Sequence, residues 1–192
     1  MDLLYDRNKP KSTEKSYGKL AVQQRLRLAM AFLNPLRPVI AEGWLSHGKG
    51  SKKKAFGQAL KKLMQDALEG DYPDQYVIPE RVTISMGILP GLQIEDVVHS
   101  QQTLEVYFSS PENPLARAND EVGLVAYSPE GGAAARNTHV CKRAQGYIKV
   151  DLPPQLWSEP FHVYLFVHSK SRKQYSKSVY IGQLGPWQDN RI

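Results

Sequence analysis

Apolar positions recur with two different periods along this chain, and the change of period falls near residue 75. From Tyr17 to Leu33, the residues Val22, Leu26, Ala29, Met30 and Leu33 follow one another at helical spacing, which predicts an amphipathic helix. Pro35 has no N–H to donate and biases Asn34 away from the helical region, so this helix is expected to end near Leu33. Pro38 suits the first turn of a new helix carrying Val39, Ile40 and Trp44. The stretch from Asn34 to Pro38 therefore reads as a stiff corner between two apolar segments, with a single proline-kinked helix as the alternative. A polar loop, LSHGKGSKKK, follows, with Ser51 placed to cap a second long helix. In that helix Phe56, Leu60, Leu63, Met64, Ala67 and Leu68 trace one apolar face, and Gly70 is the stop signal. Two amphipathic helices joined through a corner predict an antiparallel helical hairpin.

Beyond residue 75 the alternation is that of strands. RVTISMGIL, TLEVYFS, EVGLVAYS, THVCKRA, GYIKVDL, FHVYLFVH and KSVYIG are short runs rich in β-branched and aromatic residues, and turn-forming stretches separate several of them. Seven such runs over about 105 residues, with no helical pattern between them, predict an antiparallel β-sandwich of immunoglobulin-like size. The expected fold class is thus α+β: residues 1–74 form a basic helical arm and residues 75–192 a β-sandwich domain. Period-two alternation turns Phe161, Val163, Leu165 and Val167 into the core, with Leu104, Val106, Phe108, Ile148, Val150, Leu152, Val179 and Ile181 at matching positions. The opposite faces then carry Tyr107, Tyr147, Tyr164, Phe166 and Tyr180. That is more aromatic surface than a solvated sheet needs, so something covers it or binds it: either the chain's own helical hairpin, or a ligand or second subunit.

Charge divides at nearly the same place. The 192 residues carry a formal net charge of +6, but residues 1–70 hold 14 Lys and Arg against 6 Asp and Glu, and residues 71–192 hold 11 against 13. The basic character belongs to the helical part, either as the soluble outer face that amphipathic helices require or as a surface for an anionic partner. Arg25, Arg27, Lys52, Lys53, Lys54, Lys61 and Lys62 are the residues available for anion binding. Hydrophobic content of 41% is that of an ordinary globular chain. The single cysteine, Cys141, cannot form an internal disulfide, which allows a reducing compartment. With no signal-like segment at the N-terminus and no apolar run of membrane-spanning length, a cytoplasmic location without a membrane span is expected.

Catalytic signatures are missing: G-x-S-x-G, the phosphate-binding P-loop, G-x-G-x-x-G, H-E-x-x-H and paired C-x-x-C do not occur. SPEGGAAARN lacks the Lys-Ser/Thr of a phosphate cradle and reads as a hairpin loop. His139 and Cys141 are spaced to share a strand face, but two soft ligands without a second pair are weak grounds for zinc. His162 and His168 share a face with Tyr164 and Phe166, where a histidine making one hydrogen bond is the ordinary explanation. No pair of carboxylates is placed for acid–base work. The expectation is a non-enzyme with no cofactor and no metal.

TEKSYGKLAVQQRLRLAMAFLNPLRPVIAEGW, AFGQALKKLMQDALEGDYPDQYVIPERVTISMGILPG, LVAYSP and HVYLFVHSKSRKQYSKSVYIGQL together resemble an uncharacterised bacterial family of the Bacteroidota, known only as a domain of unknown function. The resemblance runs from about Lys9 to Leu184, and its most specific parts are the FLNPLRPVI corner, the EGDYPD turn and the VTISMGIL stretch. Members usually open on a glycine-rich segment, which this sequence lacks. The family brings no activity and no catalytic residues. The functional expectation is a non-catalytic protein–protein interaction or assembly module, binding another protein or copies of itself. Its partner-binding residues would be Leu36, Trp44, Tyr107, Tyr147, Tyr164, Phe166 and Tyr180. The alternative is a nucleic-acid-binding protein that uses the basic helical region.

Overall fold

Proline and glycine punctuate the helices as their chemistry requires. The structure, a computed structural model, describes residues 17–186. Helix α1, Tyr17–Leu33, stops one residue before the Asn34–Pro35 turn; α2, Arg37–Gly43, starts with Pro38 in its first turn; α3, Lys52–Asp66, is capped by Ser51, whose side chain accepts from the Lys54 N–H. Two separate helices thus replace the single kinked one. Gly70 does not end α3. It turns instead at φ +83° between two short paired strands, β1, Leu68–Glu69, and β2, Tyr76–Val77. A boundary drawn between residues 74 and 75 falls inside this ribbon.

The eight remaining strands are β3, Gln93–His99; β4, Thr103–Ser109; β5, Glu121–Ser128; β6, Ala133–Arg136; β7, Cys141–Lys142; β8, Tyr147–Asp151; β9, Phe161–His168; and β10, Val179–Leu184. They form two antiparallel sheets. One runs β10-β9-β5-β6, with β7 also on β5; the other runs β3-β4-β8. Between them lies one apolar cluster that includes Leu104, Val106 and Phe108 of β4, Ile148 and Val150 of β8, Leu124 of β5, and Phe161, Val163, Leu165 and Val167 of β9.

A second cluster lies on the other face of the larger sheet. Val125 and Tyr127 of β5 and Tyr164 and Phe166 of β9 meet Phe32 and Leu33 of α1, Leu36, Val39 and Ile40 at the corner and in α2, Trp44, and Ala55, Phe56, Ala59 and Leu63 of α3. The layers are therefore helices, five-stranded sheet, three-stranded sheet. Burial on both faces explains why β9 reads as an almost unbroken apolar run, since each side chain has a core to enter. Gly123 of β5 lies under the Phe166 ring, and a Cβ there would be 2.4 Å from it.

Several sequence expectations need correction. RVTISMGIL is not a strand. Pro79–Arg81 makes one 3-10 turn, and Val82, Thr83, Ile84 and Ser85 are buried without joining a sheet. Their main-chain groups are satisfied by other means: Trp44 Nε1 donates to the Thr83 carbonyl (3.1 Å), Ile84 N–H donates to Ser178 Oγ (2.9 Å) and Met86 N–H donates to the Gly43 carbonyl (3.0 Å). THVCKRA contributes only the two residues of β7, because Arg143–Gln145 turns at once into a 3-10 helix. SPEGGAAARN is a hairpin whose AAAR half is strand β6, and QIEDVVH is strand β3, a run the pattern reading passed over. Val179 is partly exposed, and Ile181 only borders the inter-sheet core. In α1 the buried residues are Ala29, Phe32 and Leu33, while Val22 and Leu26 face solvent. The buried face is rotated from the expected one, and Arg25 lies toward α3, donating to the Met64 carbonyl at 3.1 Å.

Candidate functional site

Alternation in TLEVYFS and GYIKVDL puts Glu105 and Tyr107 on one face of β4, and Tyr147, Lys149 and Asp151 on one face of β8. Pairing of β4 with β8 then sets Tyr107 directly opposite Tyr147 and Glu105 directly opposite Lys149, on the side turned away from the core. The tyrosine rings are near-parallel, with centroids 6.1 Å apart and planes 28° apart. Both remain open to solvent, at 38% and 49%. Lys149 Nζ donates to Glu105 Oε1 (2.9 Å), and the Tyr107 hydroxyl donates to Glu105 Oε2 (3.2 Å). The carboxylate thereby orders both neighbours. The Lys149 hydrogen bond holds the Glu105 carboxyl below its ordinary pKa, and Glu105 in turn raises Lys149 and Tyr107.

Beside this patch, a cleft of about 380 Å³ runs along the free edge of β8 and is bordered by Arg136, Thr138, His139, Val140 and Cys141. Val140 is exposed at 61%. Cys141 is buried, and its thiol donates to the Tyr147 carbonyl at 3.1 Å. Burial pushes that thiol up to about 11, which keeps it protonated and unreactive at neutral pH. His139 is exposed in the loop before β7 and borders the same cleft as Cys141. Among the described residues no group of three or more His, Cys, Asp or Glu is placed to hold a metal ion.

The residues expected to bind a partner separate into two groups. Leu36 (0% exposed), Trp44, Tyr164 and Phe166 are interior residues of this chain. They hold the helical layer on the five-stranded sheet, so they present nothing to a partner. The Tyr164 hydroxyl donates to the Pro79 carbonyl at 2.8 Å, an internal tie. Tyr180 is half-buried, its hydroxyl 3.0 Å from His162 Nδ1 and its ring against Tyr164. His162 thus has the single hydrogen bond expected of it, and burial lowers its pKa. Only Tyr107 and Tyr147 are left as a paired aromatic surface. Glu105, Lys149 and Val140, which border them, lie outside the partner-binding set expected from the sequence; alternation places the first two on outer faces, but which residues face each other depends on the β4–β8 register.

The anion-binding set is dispersed. Lys52, Lys53 and Lys54 are exposed together in the first turn of α3, Lys61 is exposed two turns later, and Lys62 pairs with Asp66 at 2.6 Å. Arg25 is engaged with Met64, while Arg27 borders a shallow groove with Gln23, Gln24, Tyr72 and Pro73.

Arg143 and Asp120 form a buried pair (Nε to Oδ2 3.5 Å), and Arg143 also donates to Gly91 O, Pro90 O and Ser110 Oγ. Its bonds are all to the chain itself and tie three loops at one end of the two sheets.

No helix among the described residues is long and apolar enough to cross a membrane. No curated protein matches the chain. Residues 2–182 match the model of a family of unknown function, DUF6266, and the chain belongs to that family.

Proposed function

We propose that the chain is a non-catalytic protein–protein interaction or assembly module whose contact surface is the outer face of the three-stranded sheet around Tyr107 and Tyr147. The carrying observation is a contrast between two sheet faces. The aromatic face of the larger sheet, with Tyr127, Tyr164 and Phe166, is covered by the chain's own helices, whereas the smaller sheet leaves a stacked tyrosine pair in water. Tyr107, fixed by the Glu105 carboxylate, and Tyr147, stacked on it, lose little conformational freedom on binding, which favours them as contact residues. The strand order also supports reading the two sheets as an immunoglobulin-like sandwich, because β3-β4-β8 and β10-β9-β5-β6 exchange the chain between layers in Greek-key fashion.

A photo-cross-linking amino acid at position 147, introduced in the native cell, tests the reading. Discrete protein adducts are expected from position 147, and none from an exposed control position such as Glu159. Equal yields at both positions would remove the proposal.

Nucleic-acid binding is the second reading, favoured by Lys52, Lys53 and Lys54 standing exposed where the helix N-terminus adds partial positive charge. It predicts an affinity for duplex or single strand that falls steeply with salt and falls further in Lys53→Ala/Lys54→Ala. Absence of any mobility shift at low salt would dismiss it.

A further inference from the structure

Besides the two-residue β7, the two sheets have four outer strands, and these are not equivalent. On one side of the sandwich lie β3 and β10, and both are interrupted: the β3–β4 register shifts between Ile94 and Asp96, and the β10–β9 register shifts between Tyr180 and Gly182. Bulges of this kind protect edges from pairing with other chains. On the other side lie β6 and β8, which border the same cleft and keep an unbroken register with their neighbours. β8 is the longer of the two, and no proline interrupts it.

The phase of its hydrogen bonds can be read from the ends of the ladder. Gly146 C=O accepts from Phe108 N–H, and Leu152 N–H donates to Gln102 C=O, both at 2.8 Å. Alternation then turns the main-chain groups of Ile148 and Val150 toward β4 and those of Tyr147, Lys149 and Asp151 toward the cleft. The Tyr147 carbonyl meets the Cys141 thiol there, as this phase requires. The N–H and C=O groups of Lys149 and Asp151 are left facing outward.

We infer that β8 is a strand-pairing edge and that its partner is the β8 of a second copy of this chain, antiparallel about a two-fold axis at Val150. Charge selects both the occupant and the register. Centred on Val150, the pairing sets Lys149 of each copy opposite Asp151 of the other, so two attractive cross-strand pairs form together. Centred one residue earlier, it would set Lys149 against Lys149, which is unfavourable. The favoured register makes about four new main-chain hydrogen bonds. It joins two three-stranded sheets into one and brings the Tyr107–Tyr147 patches of both copies onto a continuous face. A two-fold contact of this kind closes on itself and gives a dimer, not a fibre. The inference rests on the reading of this region as an assembly surface, and specifies how the assembly is made.

Sedimentation velocity of the full chain, from micromolar to near-millimolar concentration, supplies the test, with folding of every variant checked by thermal melting. The wild type is expected to show a reversible monomer–dimer equilibrium. Lys149→Asp sets Asp against Asp, Asp151→Lys sets Lys against Lys, and each is expected to weaken the dimer about tenfold or more. An equimolar mixture of the two variants restores both attractive pairs, so it should dimerise where neither does alone. Lys149→Pro removes an outward N–H that β4 does not use, and should also abolish dimers. A wild type monomeric throughout, or a dimer indifferent to these substitutions with no recovery on mixing, overturns the inference. Adducts from position 147 to a different protein, found alongside a monomeric chain, would overturn strand pairing alone and leave the interaction-module reading standing.

Discussion

Leu165 sits midway along β9 with its side chain between the two sheets, 1% exposed. Leu165→Ala leaves a cavity that rigid strands on both sides cannot close, and is expected to cost about 2–5 kcal/mol in a denaturant titration. Lys149→Ala, on the outer face of β8, should stay within about 0.5 kcal/mol of wild type. Comparable losses from the two would mean that the facing of the strands is wrong. His162, a neighbour on β9 that points to the helical side, carries a pH signature. Burial lowers its folded pKa below 6.5, against a smaller opposing pull from Glu130 and Glu80. As pH falls, the unfolded chain takes up the proton first, so the stability held by the neutral ring is complete above about pH 6.5 and is lost as pH drops toward the folded pKa. His99 is shifted the same way, also by burial. Melting temperature should therefore fall between about pH 7 and pH 5, and His162→Gln should make that slope shallower. An unchanged slope would show that this ring contributes nothing to acid sensitivity.

Among the elements, the corner from Asn34 to Arg37 shows what sequence patterns carry and what they omit. Two prolines located the helix boundary because each acts on its own backbone, and Ser51 was legible as a cap for the same reason. QIEDVVH escaped notice because the bulge at Glu95 disrupts its alternation, and AAAR because alanine carries little strand preference. VTIS misled in the other direction: its β-branched residues are buried, but α2 and Ser176–Ser178 occupy the places where sheet partners would lie. The exposed site was half legible. Alternation identified five outward aromatics, yet only tertiary packing decides that helices cover Tyr164 and Phe166 and leave Tyr107 and Tyr147 open. The corner also carries a prediction. Asn34 Oδ1 accepts from Arg37, and the Arg37 guanidinium lies 4.2 Å from the centre of the Phe56 ring, so the turn fixes how α2 and α3 meet. Pro35→Ala supplies the missing N–H and lets α1 run on, which moves Leu36, Val39 and Ile40 off the sheet. Amide exchange is expected to quicken in α2 and in β9, with β4 and β8 unchanged. If exchange in α2 keeps its wild-type rate, the corner is only a tolerated break.

For the whole molecule, the decisive feature is that one sheet belongs to two cores. β5 and β9 send alternate side chains into the inter-sheet cluster and into the helical cluster, so neither core can be lost without exposing strands of the other. Removing the helical layer would uncover Val125, Tyr127, Tyr164 and Phe166, each worth roughly 1.5–3 kcal/mol on burial. The sequence divides at residue 75 in period and in charge, yet the packing ties the two parts into one structure. Two tryptophans can report the consequence separately. Trp44 lies in the helical cluster, with its indole N–H on Thr83, and Trp157 borders the inter-sheet cluster, with its indole N–H on Leu152. In a chain where Trp187, which lies outside the described residues, is replaced by Phe, Trp44→Phe and Trp157→Phe leave one reporter each. Denaturant titrations followed by fluorescence should give, for each variant, the same midpoint as its far-ultraviolet circular dichroism, because a shared sheet couples the layers into one cooperative transition. If the Trp44 signal is lost at clearly lower denaturant while the Trp157 signal and the strand dichroism persist, the helices are a separable layer. The 75–192 sandwich would then stand alone with its aromatic face in water, and that face would join the tyrosine pair as a surface for partners.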